Sequence, residues 1–332
     1  MLKTLTATSN NGLGLTAALL IASIGIGTLA GYTTPTMANW LNSYTDITLF
    51  VLISCLFISV RFDGLKKIHR KLSLVLIALV ANFIIVPLIG YSIAYFLLDS
   101  YPLFMVGLMI YFMSPCTDWF LGFTRICHGD ALLGSALLPI NMLVQLLLYP
   151  FYVYLFSHNV VELGSDVIWT NLQHWFMAPL VVAVLVRVAL HFILTPERSV
   201  LLSDKINHCI PLIISLLIMQ IFAGNIDVLL AHAYIVPWLL LSVLCFFVST
   251  FFLSELLSKG LGLVYAERVL LTMTIAARNA PLMLAITMAA LPNQPLIYAA
   301  IIIGMLLEFP HLTALSHLLL RSQTSTSEKT VT

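Results

Sequence analysis

The sequence predicts an all-α polytopic membrane protein with about ten transmembrane helices, arranged as two inverted five-helix repeats. Three observations carry that reading: the composition, a series of long apolar segments, and charges that alternate with them. Of the 332 residues, 61% are hydrophobic and only 9% are charged, and the mean hydropathy is +1.04. A soluble domain carries about 25% charged residues, so lipid has to be the solvent for most of this surface. The net charge of +1 lacks the basic excess that a nucleic-acid partner needs. Five cysteines, Cys55, Cys116, Cys127, Cys209 and Cys245, are odd in number and lie mostly in apolar stretches. That distribution argues against a disulfide framework.

A span needs about 20 mostly apolar residues. Such segments fall at Leu13–Gly31, Asp46–Arg61, Leu72–Leu98, Leu103–Ile126 and Ala131–Ser157, the first repeat. The second repeat has Leu172–Leu194, Ile206–Phe222, Ile235–Leu257, Arg268–Leu291 and Leu296–Leu320. The first run is longer than a signal-peptide core and has no convincing cleavage site before Tyr32, so it reads as a span. No stretch between the spans is large enough for a soluble domain. A single transmembrane domain is expected, with a Ser/Thr-rich, disordered cytoplasmic tail at 321–332.

Lys and Arg concentrate in cytoplasmic loops. The loop after the second segment carries Arg61, Lys66, Lys67, Arg70 and Lys71. Placing it inside puts Lys3, Arg125, Arg187, Arg198, Lys205, Lys259, Arg268, Arg321 and Lys329 on the same side by alternation. The opposite loops carry Asp99, Glu162, Asp166 and Asp227. Both termini are then cytoplasmic, in the cell membrane. The repeat itself is faint: Leu146–Pro150 resembles Leu306–Pro310 at an offset of 160 residues, and that offset lays the fourth segment on the ninth. Five spans per copy is an odd number, so the second copy is inverted, as in secondary transporters.

The fourth and ninth segments are both interrupted. The fourth contains Ser114-Pro115-Cys116-Thr117-Asp118, and the ninth contains Arg278-Asn279-Ala280-Pro281. Ser114 before Pro115 is a good helix start, and Asn279 is a plausible N-cap with Pro281 in the first turn. A lone proline kink is common in membrane helices, but paired breaks in corresponding spans point to a transporter's binding site. A half-helix starting at Ser114 would put Cys116 in its first turn, where the helix end favours the thiolate. The other reading of Cys116 is a small packing residue.

Three ionisable residues lie within the spans, Asp118, Arg278 and Glu308. Buried charges at membrane depth mark pathways, relays or ion pairs. Asp118 corresponds to Arg278 at the 160-residue offset, so the two could pair across the breaks, to stabilise them or to bind substrate. Glu308 precedes Pro310 and His311, in surroundings that suit a proton carrier or a hydrogen bond to broken backbone. Asn82, Asn141 and Gln145 are further polar residues at depth, lining a cavity or joining helices.

With these residues assembled, the stretch Ser114–Asp130 resembles the cysteine-bearing fourth span of arsenite efflux permeases. There a Pro-Cys-Thr triplet precedes an apolar run ending in Gly-Asp, here Gly129-Asp130. Met305–Pro310 resembles their last span, and Thr274–Leu284, with Asn279, their ninth. These permeases belong to the bile acid/sodium symporter superfamily, and the likeness extends over essentially all the spans. The resemblance implies a panel domain, a core domain with two broken helices crossing in it, metalloid binding at Cys116 and proton coupling at Glu308. Two departures stand out. Asp118 and Arg278 replace uncharged positions of those permeases. The sodium-dependent branch has an acidic residue before a Gln-Asn pair, where this chain has Arg278-Asn279 preceded by Thr274–Ala277.

The expectation is a proton-coupled exporter of arsenite or a related small solute. The substrate and ion-binding set is Ser114, Cys116, Thr117, Asp118, Arg278, Asn279 and Glu308. No cofactor or metal is expected beyond a proton or sodium gradient as driving force. The second reading is a sodium-coupled symporter of an organic anion, with Arg278 as its counter-charge. An enzyme would need a nucleophile–base or metal-ligand set at depth, and there is no HExxH or paired-Asp motif. A non-transporting sensor is a further alternative, which no soluble signalling domain or long tail in the sequence supports.

Overall fold

A computed structural model of the chain describes residues 2–59, 71–116, 119–157, 160, 165–193 and 196–329. Every regular element among the described residues is helical, apart from one isolated antiparallel bridge between Pro115 and Arg278. Four helices are long and apolar enough to cross a membrane: Leu72–Leu98, Ala131–Ser157, Ala233–Gly260 and Pro295–Gln323. Pro35–Asn42 and Thr45–Ile58, bent by 42°, make a fifth if taken as one span. Shorter apolar helices include Ala18–Thr33, Pro102–Phe112, Ala178–Leu190, His208–Gly224 and Ala280–Ala290. Large apolar side chains point outward, among them Phe96 at 82%, Leu147 at 78% and Phe192 at 83% exposure. Water would not tolerate so much exposed apolar surface, whereas acyl chains do. The chain is a multi-pass membrane protein.

In chain order the first elements are α1 (Leu2–Thr33), α2 (Pro35–Asn42), α3 (Thr45–Ser59) and α4 (Leu72–Val80). A π-helical turn, Ala81–Ile85, joins α4 to α5 (Val86–Leu98). They are followed by α6 (Pro102–Phe112), α7 (Trp119–Ile126), α8 (Ala131–Ser157), α9 (Ser165–Ile193) and α10 (Pro196–Gly224). The last are α11 (Ile226–Ala231), α12 (Val236–Gly260), α13 (Tyr265–Ala276), α14 (Ala280–Ala290) and α15 (Pro295–Lys329). Leu72–Leu98 and Ala131–Ser157 have the bounds that hydropathy gives. Other bounds differ for visible reasons. α2 and α10 open on prolines, whose fixed φ suits a first helical turn. α15 runs to Lys329, into the segment expected to be disordered, because no Gly or Pro follows Pro310 to stop it.

The chain divides into two compact units, each drawing on both halves of the sequence. One comprises Met1–Val60, Tyr154–Val236 and Pro281–Ile302. Within it α1 lies against α10 through Gly27 and Gly31, spaced as a GxxxG pair. A Cβ at Gly27 would sit 2.5 Å from the Met219 carbonyl oxygen, and one at Gly31 2.6 Å from that of Ala223. Small residues at this spacing let two membrane helices touch backbone to backbone. Arg187 of α9 donates to the Ile58 carbonyl at 2.9 and 3.1 Å, satisfying an open acceptor at the end of α3.

The second unit comprises Arg61–Val153, Pro237–Ala280 and Ile303–Thr332. Here the Asp130 carboxylate accepts the Leu133 amide at 3.0 Å and caps α8. The Asp130 amide donates to the Ala266 carbonyl at 2.9 Å, tying the turn before α8 to α13. Two ion pairs, Lys71–Glu267 and Arg268–Glu255, fasten α4 and α12 to the same helix. α13 is then held firmly at its start, and its other end leads into the linker that pairs with the break after α6.

Candidate functional site

α6 stops at Phe112, and α13 stops at Ala276. The linkers that follow them run antiparallel. The Cys116 amide donates to the Ala277 carbonyl at 3.0 Å, and the Asn279 amide donates to the Ser114 carbonyl at 2.8 Å. Broken backbone at membrane depth must find such partners, since hydrocarbon offers none. Pro115 fits where its missing N–H is not needed. The Ser114 hydroxyl donates back to the Tyr111 carbonyl at 2.9 Å.

This pairing changes one expectation. No helix starts at Ser114: α7 spans Trp119–Ile126, and Cys116 lies in the paired linker, not in a helix's first turn. The amide that would have opened a helix is spent on Ala277. The helix-end argument for a thiolate at Cys116 therefore fails. On the other side α14 opens at Ala280, so Asn279 does precede a helix with Pro281 in its first turn.

Glu308, on α15, closes the arrangement. Its Oε1 accepts the Arg278 amide at 2.9 Å, and its Oε2 accepts the Tyr111 hydroxyl at 3.5 Å. Gly304, one turn earlier on α15, is what lets Tyr111 in: a Cβ there would sit 2.7 Å from the ring. Ser114, Cys116, Arg278, Asn279 and Glu308 are all buried, with Arg278 at 0% exposure. The Arg278 guanidinium donates to the Phe112 carbonyl at 2.9 Å, to the Thr274 and Ile275 carbonyls, and to Asn82 Oδ1 at 3.4 Å. The Phe246 ring lies 5.6 Å from it, stacked in turn on Phe112.

Asn82 reaches this group because it sits in the π turn, which locally re-aims a side chain. Asn82 and Asn141 both donate to the Thr274 hydroxyl, at 3.2 and 3.3 Å. Asn141 Oδ1 and both amide atoms of Gln145 are buried without a hydrogen-bond partner among the described residues. Buried orphans of this kind are costly and call for water or a ligand. Thr117 and Asp118 lie outside the described residues, and so does the expected pairing of Asp118 with Arg278. Sequence reading passed over Tyr111, Thr274, Phe246 and Gly304. Only Gly304, four residues before a buried glutamate, carried a local signal.

The profile of the sodium bile acid symporter family matches residues 46–232, more than half of the chain. The chain belongs to that family. The arsenical-resistance protein Acr3 of Corynebacterium glutamicum is 25% identical over 276 residues, covering 79% of this chain and 74% of that protein. An uncharacterized sodium-dependent transporter, YocS of Bacillus subtilis, is 22% identical over 157 residues, covering 47% of this chain and 49% of that one. The family is one of transporters rather than enzymes, and this member is a secondary transporter of a small solute. Its buried crossover of two broken helices is the arrangement that places solute and ion sites at the middle of the bilayer in such proteins.

Proposed function

We propose that this chain exports arsenite, or a related small solute, across the cytoplasmic membrane in exchange for protons. Ten spans form two inverted repeats, 13–157 and 172–320, with both termini cytoplasmic. The observation that carries the reading is the crossover itself. Its first linker holds a buried cysteine, and the backbone of its second is held by the carboxylate of Glu308. Similarity to an arsenical-resistance protein over most of both chains supports the same solute.

Soft sulfur ligands suit a metalloid. The Cys116 thiol displaces one hydroxyl of As(OH)3, forming an As–S bond and releasing one water, and the reverse step frees the solute. The free thiol suffices, so no helix-end thiolate is needed. Glu308 takes up and releases the coupling proton.

Everted membrane vesicles should accumulate arsenite when an inward-acid gradient is imposed, and a sodium gradient should have no effect. Accumulation driven by sodium alone, or of organic anions in place of arsenite, would hand the site to the second reading. That reading has one point in its favour, the sodium-dependent relative. Against it, Arg278 has no exposed surface to offer an anion. For orientation, single cysteines placed at Lys67 and Asp166 should label from the inside and the outside respectively. The opposite pattern would invert the whole assignment.

A further inference from the structure

The Arg278 guanidinium carries a full charge with no exposed surface, and among the described residues no carboxylate lies within ion-pair distance of it. Among the described residues its four acceptors are neutral oxygens: the carbonyls of Phe112, Thr274 and Ile275, and Asn82 Oδ1. Three of the four are backbone oxygens from the last turns of α6 and α13. Helix C-termini carry negative partial charge. Half-helix C-terminal ends and unwound carbonyls are what hold a sodium ion in transporters built on broken helices. The oxygens are thus of the kind that binds a monovalent alkali cation, and a side chain occupies them. The aromatic face of Phe246 on the guanidinium suits a weakly hydrated planar cation better than a strongly hydrated ion.

We propose that Arg278 is a tethered cation standing in the place of a coupling sodium ion, so that this member of a sodium symporter family works without sodium. The charge that an incoming ion would supply in each cycle is supplied permanently by the chain. The carbonyls of both half-helices are neutralised whether or not solute is bound. Only the proton on Glu308 is left as a mobile charge at the crossover. The inference deepens the reading of the crossover as the ion site, and it does not depend on which solute is carried.

The test uses the purified full-length protein in detergent and reads melting temperature against NaCl, with choline chloride holding ionic strength constant. The wild type should show no sodium-specific shift. Arg278→Gln, which adds an amide oxygen and removes the charge, should melt several degrees lower in choline. It should recover with sodium along a saturating curve, but not with potassium. Arg278→Lys retains a cation and should stay indifferent to sodium. A saturating sodium-specific rise in the wild type would overturn the proposal, as would an Arg278→Gln protein that folds and ignores sodium. If Arg278→Gln does not fold, Arg278→Lys decides: sodium indifference upholds the proposal and sodium dependence ends it. No solute is needed for any of these readings. A failure of arsenite transport would leave the inference standing, and success would not rescue it.

Discussion

Cys116→Ser should reduce arsenite accumulation in everted vesicles to the level of membranes without the protein, and should leave the melting temperature unchanged. The two halves of that result come from different parts of the residue. The fold uses the backbone of Cys116, whose amide bonds to Ala277, and serine supplies the same amide and a side chain of similar size. In the proposed mechanism the solute uses the sulfur, for which a hydroxyl oxygen is no substitute as a soft ligand. Flux of any organic anion that the protein carries should be nearly intact in this variant. Arsenite transport at the original rate would make Cys116 a packing residue, and the organic-anion reading would then lead.

Glu308 should divide in a similar way between two substitutions. Glu308→Gln keeps an oxygen that can accept the Arg278 amide, so the crossover stays tied to α15. It cannot take up and release a proton, so proton-driven flux should vanish while exchange of labelled for unlabelled solute continues. Glu308→Leu removes the acceptor as well. It strands the buried Arg278 amide and the Tyr111 hydroxyl, at a cost of about 1–3 kcal/mol for each unsatisfied group. Glu308→Leu should therefore lose stability as well as flux. If Glu308→Gln retains full proton-driven transport, the carboxylate only supports the linker and the proton moves elsewhere.

The parts of this molecule legible in the sequence are those set by local composition. Apolar run length places Leu72–Leu98 and Ala131–Ser157 to the residue, because a span's ends are fixed by where polar residues begin. Pro115 and the Asn279–Pro281 sequence mark the two breaks, because proline removes a donor wherever it sits. How the breaks are repaired was not legible. The partners of Ser114, Cys116 and Asn279 lie more than 160 residues away in the chain, and no local pattern encodes them. Ser114 followed by Pro115 reads as a helix start on propensity alone, and long-range pairing overrode it. Glu308 illustrates the same limit. Its isolation in apolar sequence suggested a proton carrier or a hydrogen bond to broken backbone, while the identity of that backbone group, the Arg278 amide, is visible only in three dimensions. The Gly27–Gly31 contact was present in the sequence as a spacing but needs α10 beside it to acquire meaning.

The π turn at Ala81–Ile85 has a consequence for how this protein can change over generations. A wide turn of this kind holds one residue more than the α-helical path through the same space. Deleting a single codon there would restore a regular helix with both flanking halves left in phase, while side chains within the turn itself would be re-aimed by up to about 100°, the angle per residue at 3.6 residues per turn. Asn82 would swing off the Arg278 guanidinium and the Thr274 hydroxyl together, although neither partner had been altered. The fold thus carries, in one extra residue, a position at which loss of a codon would do more to the crossover than most substitutions within it.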